Sequence, residues 1–210
     1  MSQQQTKKEK REAAKQARIE AQKKRERAKK RKRLITIAII VVVALAGTYL
    51  LILRGAAEKR ALASELKSAG CSQIKSYKIG ARDHIQTTAK TPNYNSNPPT
   101  SGPHLGQTSP WGSQDETVDK KMLVHNLEHG GIVVHYKGIA EADADKVAEI
   151  ADSYSDGVIS QPNDELKDKV AMAAWGKAQT CEKVSERVIR AFIKERCNKG
   201  PEKFGLKCGG

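Results

Sequence analysis

"LVHNLEHGGIVVHY", residues 123–136, changes its periodicity halfway along. Up to His129 the apolar residues Leu123, Val124 and Leu127 recur at helical spacing, so this half reads as the end of a helix over 115–129. Gly130 and Gly131 break that helix. "IVVHY" (132–136) is β-branched and alternating, the pattern of a strand. Helix, break and strand in so short a stretch announce mixed α and β structure in one body.

The neighbouring segments agree. Residues 140–152 place Ala140, Ala144, Val147 and Ala151 on one helical face, and 182–196 do the same with Val184, Val188, Ala191 and Phe192. "GVIS" (157–160) and "VAMAAW" (170–175) are candidate strands, and 74–88 read as one or two short ones. Residues 90–114 are rich in proline and glycine and form a long loop, which can be neither a helix nor a central strand. Loops of that length in compact domains often carry function. Residues 71–210 are therefore expected to form a single α+β domain, with a small sheet and flanking helices.

The charge of the chain lies elsewhere. Of its formal net charge of +14, residues 1–33 hold +11, from 15 Lys and Arg against 4 Glu. The rest is nearly neutral. Residues 34–53, "LITIAIIVVVALAGTYLLIL", form 20 uncharged positions, about 30 Å as a helix, which matches a hydrocarbon core. A cleaved signal peptide has an apolar region of about 7–15 residues after a short basic segment, so an uncleaved anchor is expected. Residues 54–70 read as a stalk helix beyond it. "KKRKR" precedes the span and only Arg54 follows it directly, which places the N-terminus in the cytoplasm and the domain outside. The basic arm is then expected to lie on anionic lipid head groups. No aromatic residue is interleaved to stack on bases, which argues against nucleic acid.

All four cysteines, Cys71, Cys181, Cys197 and Cys208, follow the span. In an oxidising compartment they suggest two disulfides, with three possible connectivities. Cys197–Cys208 as a local loop and Cys71–Cys181 as a long staple are the preferred pairs, free thiols being the alternative. The lack of C-x-x-C argues against a thioredoxin-like enzyme.

Histidine is the chemistry-bearing residue. His125 and His129 stand one helical turn apart, off the Leu123–Leu127 stripe, with Met122 and Asn126 on their side. Two imidazoles at that spacing can grip one ion. His135 on the strand and His104 in "SGPH" are the next candidate ligands, and Met122 would tilt the site from zinc to copper. His84 has no evident partner. Each also has a plainer reading, as a hydrogen-bonded or turn residue. "HNLEH" further fits H-x-x-E-H, with Glu128 as the base of a zinc hydrolase. Against that, the glycines end the helix at once and no distant third ligand is evident.

"NPPTSGPH", "LVHNLEHGGIVVHY" and "AWG", taken in this order and spacing over about residues 70–205, resemble a bacterial family catalogued as domain of unknown function 3105. The resemblance implies a basic N-terminus, one span and this domain. It implies no activity, fold or ligand, and it singles out "SGPH" and "HNLEHGG". The function expected from the residues is extracytoplasmic binding of a transition metal, copper before zinc. A non-catalytic interaction domain is the alternative, and a hydrolase using Glu128 the second.

Overall fold

The computed structural model describes residues 3–208. The chain divides into two compact units, Met1–Glu58 and Lys59–Gly210. One helix, α1 (Gln3–Ser68), carries the basic arm, the apolar span and the stalk without a break. No proline interrupts it, and Ala, Leu, Lys, Arg and Glu sustain helix throughout. Its apolar window has a mean hydropathy of 2.7 and is nowhere buried, so α1 is long and apolar enough to cross a membrane. Gly70, at φ 62°, ends it. The Cys71 N–H donates to the Leu66 carbonyl (2.9 Å) and the Gly70 N–H to that of Lys67 (3.2 Å), so the last carbonyls are satisfied by a Schellman stop.

The second unit is α+β. Its elements after α1 are β1 (Lys75–Ser76), β2 (His84–Ile85), β3 (His104–Leu105), β4 (Gly112–Ser113), α2 (Lys120–Glu128), β5 (Ile132–Tyr136), α3 (Glu141–Asp152), β6 (Val158–Pro162), β7 (Val170–Ala174), β8 (Lys177–Cys181) and α4 (Glu186–Arg196). Six strands form a mixed sheet in the order β1-β8-β7-β5-β6-β4, and β2 and β3 pair separately. β5 lies parallel to β6, with α3 as the crossover, and antiparallel to β7.

The two faces of β5 fix the layers. Ile132 and Val134 point into a large core with Val147 and Ile150 of α3 and Phe192 and Ile193 of α4. Val133 points the other way, into a smaller cluster with Ile159, Ala173 and Leu123 and Leu127 of α2. Helix α2 thus spends its apolar stripe on the sheet and turns His125 and Glu128 away from it.

Several elements differ from the sequence reading. Helix α2 starts at Lys120 rather than 115, because the Asp119 side chain caps it by accepting the Lys121 N–H at 2.8 Å. Helix α4 starts at Glu186, where Ser185 is the cap. Strand β8, "KAQTC", is too polar to register as a strand; it forms by pairing with β7 across the Trp175–Gly176 turn. The loop over 90–114 holds two-residue strands, β4 at the sheet edge and β3 beside β2. Cys71 is bonded to Cys181 and Cys197 to Cys208.

Candidate metal centre

Two anchors on α2 bring distant segments to its outer face. The Lys121 side chain is buried, and its ammonium donates to the carbonyls of Thr87 (3.1 Å) and Ala89 (3.2 Å), just after β2. Asn126, wholly buried, donates to the Ser109 carbonyl at 2.9 Å and accepts the Ser109 N–H at 2.8 Å, just after β3. The parallel pairing of β2 with β3 then sets His84 opposite His104. The centre is therefore built from a helix and two loop strands that the helix itself holds.

His84, His104, His125 and Glu128 each offer a ligand atom, all within 4.8 Å of one another. The three rings form a triangle with centroids 4.9–5.1 Å apart. Trp175 stands edge-on to His104 at 6.4 Å. His104, His125 and Glu128 are buried, and His84 is exposed at the rim. Such a group has the donor types and the spacing to hold one metal ion.

Hydrogen bonding sharpens the picture. The His104 Nδ1 lies 2.8 Å from the Gly102 carbonyl, which accepts only, so Nδ1 carries the proton. In the neutral ring Nε2 then presents a lone pair. That Nε2 is 2.9 Å from Glu128 Oε2 but lacks hydrogen-bonding geometry. Glu128 Oε1 sits 3.2 Å from Arg82 Nε, again without that geometry, and His125 Nδ1 has no partner. Among the described residues only one other buried side-chain polar atom, Nε of Arg196, is unpartnered. Burial lowers the pKa of His125, and the neighbouring His129, His104 and His84 lower it further, against a hydrogen bond to the Gln107 backbone. Burial and the neighbouring rings thus favour the neutral imidazole, the form that coordinates a metal.

The other sequence candidates lie differently. The His129 ring is 4.4 Å from that of His125, but its Nε2 pairs with Glu202 at 3.2 Å and its face stacks on Phe204 at 3.9 Å. Met122 is half-buried on α2. His135 is not with the cluster: it shares the Val133 face of β5, beneath α2, and its Nδ1 accepts the Gln161 amide at 3.0 Å. His84, which had no evident partner in the sequence, joins the group through strand pairing across a 20-residue separation that no local pattern reveals.

Burial drives the pKa of His135 down to about 3. The unfolded chain takes up that proton near pH 6.5, the folded chain only near 3. Stability is therefore expected to fall as pH drops below about 6.5, by up to about 1.4 kcal/mol per unit from this residue, and to level off below about 3. Urea titrations between pH 7 and 4 should show a shallower pH slope in His135→Gln than in wild type. Equal slopes would remove His135 as the cause.

No curated protein and no solved structure matches the chain. A family model does match, over residues 84–209, which begins at His84 and takes in all four clustered residues. That match spans more than half of the chain, and the chain belongs to the family described as protein of unknown function (DUF3105).

Proposed function

We propose that this protein binds one divalent first-row transition ion outside the cytoplasm, through His84, His104, His125 and Glu128. The observation that carries the reading is the meeting of unpartnered atoms. A lone pair on His104 Nε2 facing a carboxylate oxygen at 2.9 Å needs positive charge between them. A second proton on His104 would supply it but would leave His125 Nδ1 and Glu128 Oε1 unserved. A single cation serves all three, and the Gly102 carbonyl already fixes the His104 ring as an outer-shell partner does.

Three imidazoles and one carboxylate suit zinc or copper(II). No thiolate belongs to the group, since all four cysteines are in disulfides. Four protein donors would fill a four-coordinate site, and Glu128 would then serve as a ligand rather than as a free base. This favours metal holding or transfer over hydrolysis, with exposed His84 as the ligand that lets go first. The basic flank of α1 favours a cytoplasmic N-terminus lying on anionic lipid and the metal domain on the far side.

The test is elemental analysis of the full chain in detergent, purified without tag or chelator. About one tightly held zinc or copper per chain is expected in wild type. It should vanish in His104→Ala/His125→Ala and persist in His135→Gln. A wild type that neither retains nor takes up metal overturns the reading and leaves a partner-binding domain.

A further inference from the structure

Beneath α2, on the side away from the histidine triangle, lies a second cavity of about 220 Å³. Its walls include Leu123 and Leu127 of α2 and Val133 of β5, and His135 and Gln161 stand at its floor. The floor is chemically determined. Gln161 Oε1 accepts the Val118 N–H at 2.7 Å, which fixes its amide so that Nε2 donates to His135 Nδ1. With Nδ1 accepting, the neutral His135 ring carries its proton on Nε2. That N–H has no hydrogen-bond partner among the described residues and is not one of the sealed-off unpartnered atoms, so it keeps accessible surface. The cavity His135 lines is the open space left to it.

The mouth narrows the choice of ligand. Lys120 is already paired with Glu165 at 2.6 Å, and Asp164 stands beside them. Carboxylates at the rim repel an anion, and inside the polar side chains of Asn97, Thr117, Gln161 and Asn163 are already hydrogen-bonded, so the Nε2–H of His135 is the donor left to a ligand and no free acceptor is left to a cation. The volume lies below the roughly 300–1,000 Å³ of drug-sized sites and equals about seven waters at ~30 Å³ each.

We propose that this cavity is a binding site for a small neutral molecule with an apolar body and one carbonyl or similar oxygen, which accepts the Nε2–H of His135. The apolar part rests on Leu123, Leu127 and Val133, and the oxygen points at the sheet. The site is separate from the metal centre, and the two share only α2 as a wall. Its existence does not depend on the metal reading.

Cyclohexanone is a probe of the right size and class. The full chain, with ¹⁵N-labelled histidine, is reconstituted in lipid nanodiscs and titrated. The His135 Nε2–H resonance should move downfield and saturate, while methylcyclohexane, of matching shape but without the oxygen, leaves it in place at equal saturation of the aqueous phase. His135→Phe should weaken cyclohexanone binding at least tenfold, and Leu127→Trp, which fills the cavity, should abolish it. Cooperative unfolding reports that each variant is folded. A resonance that cyclohexanone does not move, a non-saturating shift, or an equal response to both probes overturns the proposal and leaves water as the only occupant.

Discussion

Replacing Glu128 with glutamine is expected to weaken metal binding by more than a hundredfold and, at the same time, to stabilise the metal-free domain. The two effects have one cause. Glu128 is 2% exposed, and one of its oxygens lies 2.9 Å from His104 Nε2 without hydrogen-bonding geometry. A desolvated carboxylate in that position costs free energy unless a cation sits against it. Glutamine removes the charge, and its amide N–H can donate to His104 Nε2. That relieves an unpartnered buried acceptor, which is worth about 1–3 kcal/mol. The loss of the Arg82 contact weighs little, because that side chain is half exposed and its pairing is screened. Outer-shell changes alone cost about 10–100-fold in affinity, so removing a ligand should cost more. Competition titration with a chelator reads the first effect, and thermal unfolding of the stripped protein reads the second. A variant that keeps wild-type affinity removes Glu128 from the ligand set. One that unfolds at lower temperature without metal shows a satisfied ion pair instead of a vacant seat for a cation.

Loss of the Cys71–Cys181 bond is the largest stability change expected. It closes a loop with a sequence separation of 110, for which chain entropy gives about 4–5 kcal/mol. Whole domains are stable by about 5–15 kcal/mol, so the variant lies close to unfolding. Cys197–Cys208 spans only 11 positions and is worth about 3 kcal/mol or less by the same relation. Chemical denaturation of Cys71→Ser/Cys181→Ser and of Cys197→Ser/Cys208→Ser should rank them in that order. The reverse ranking would show that the unfolded chain is already restrained near Cys71 and Cys181.

Local pattern carried much of this fold. The break at Gly130–Gly131 is required twice over: Gly130 has φ +88°, and a Cβ on Gly131 would come within 2.6 Å of the Trp111 ring. The alternation of β5 correctly set Val133 and His135 on one face, but nothing local says which face meets the histidine side of α2. Leu123 and Leu127 decide it, because they pack on Val133 and leave His125 on the far side. That is why His135 belongs to a cavity and not to the triangle. His84 was illegible for a different reason. Its place comes from two-residue strands held by Lys121 and Asn126, which are tertiary contacts with no periodicity to read.

Residues 198–202 reach back to the candidate metal site. The Glu202 N–H donates to the Glu128 carbonyl, Asn198 packs against Gly130, and a side chain on Gly200 would collide with the Glu128 carbonyl. A ribosome makes these residues after the site they clasp. The peptide that carries Glu128 is clasped only after residues 198–202 have emerged, and the edge strand β1 waits for its partner β8. Closure of this site therefore comes after its side chains have all been made. A nascent chain stalled before residue 198 would hold every ligand of the centre and still lack the clasp over Glu128.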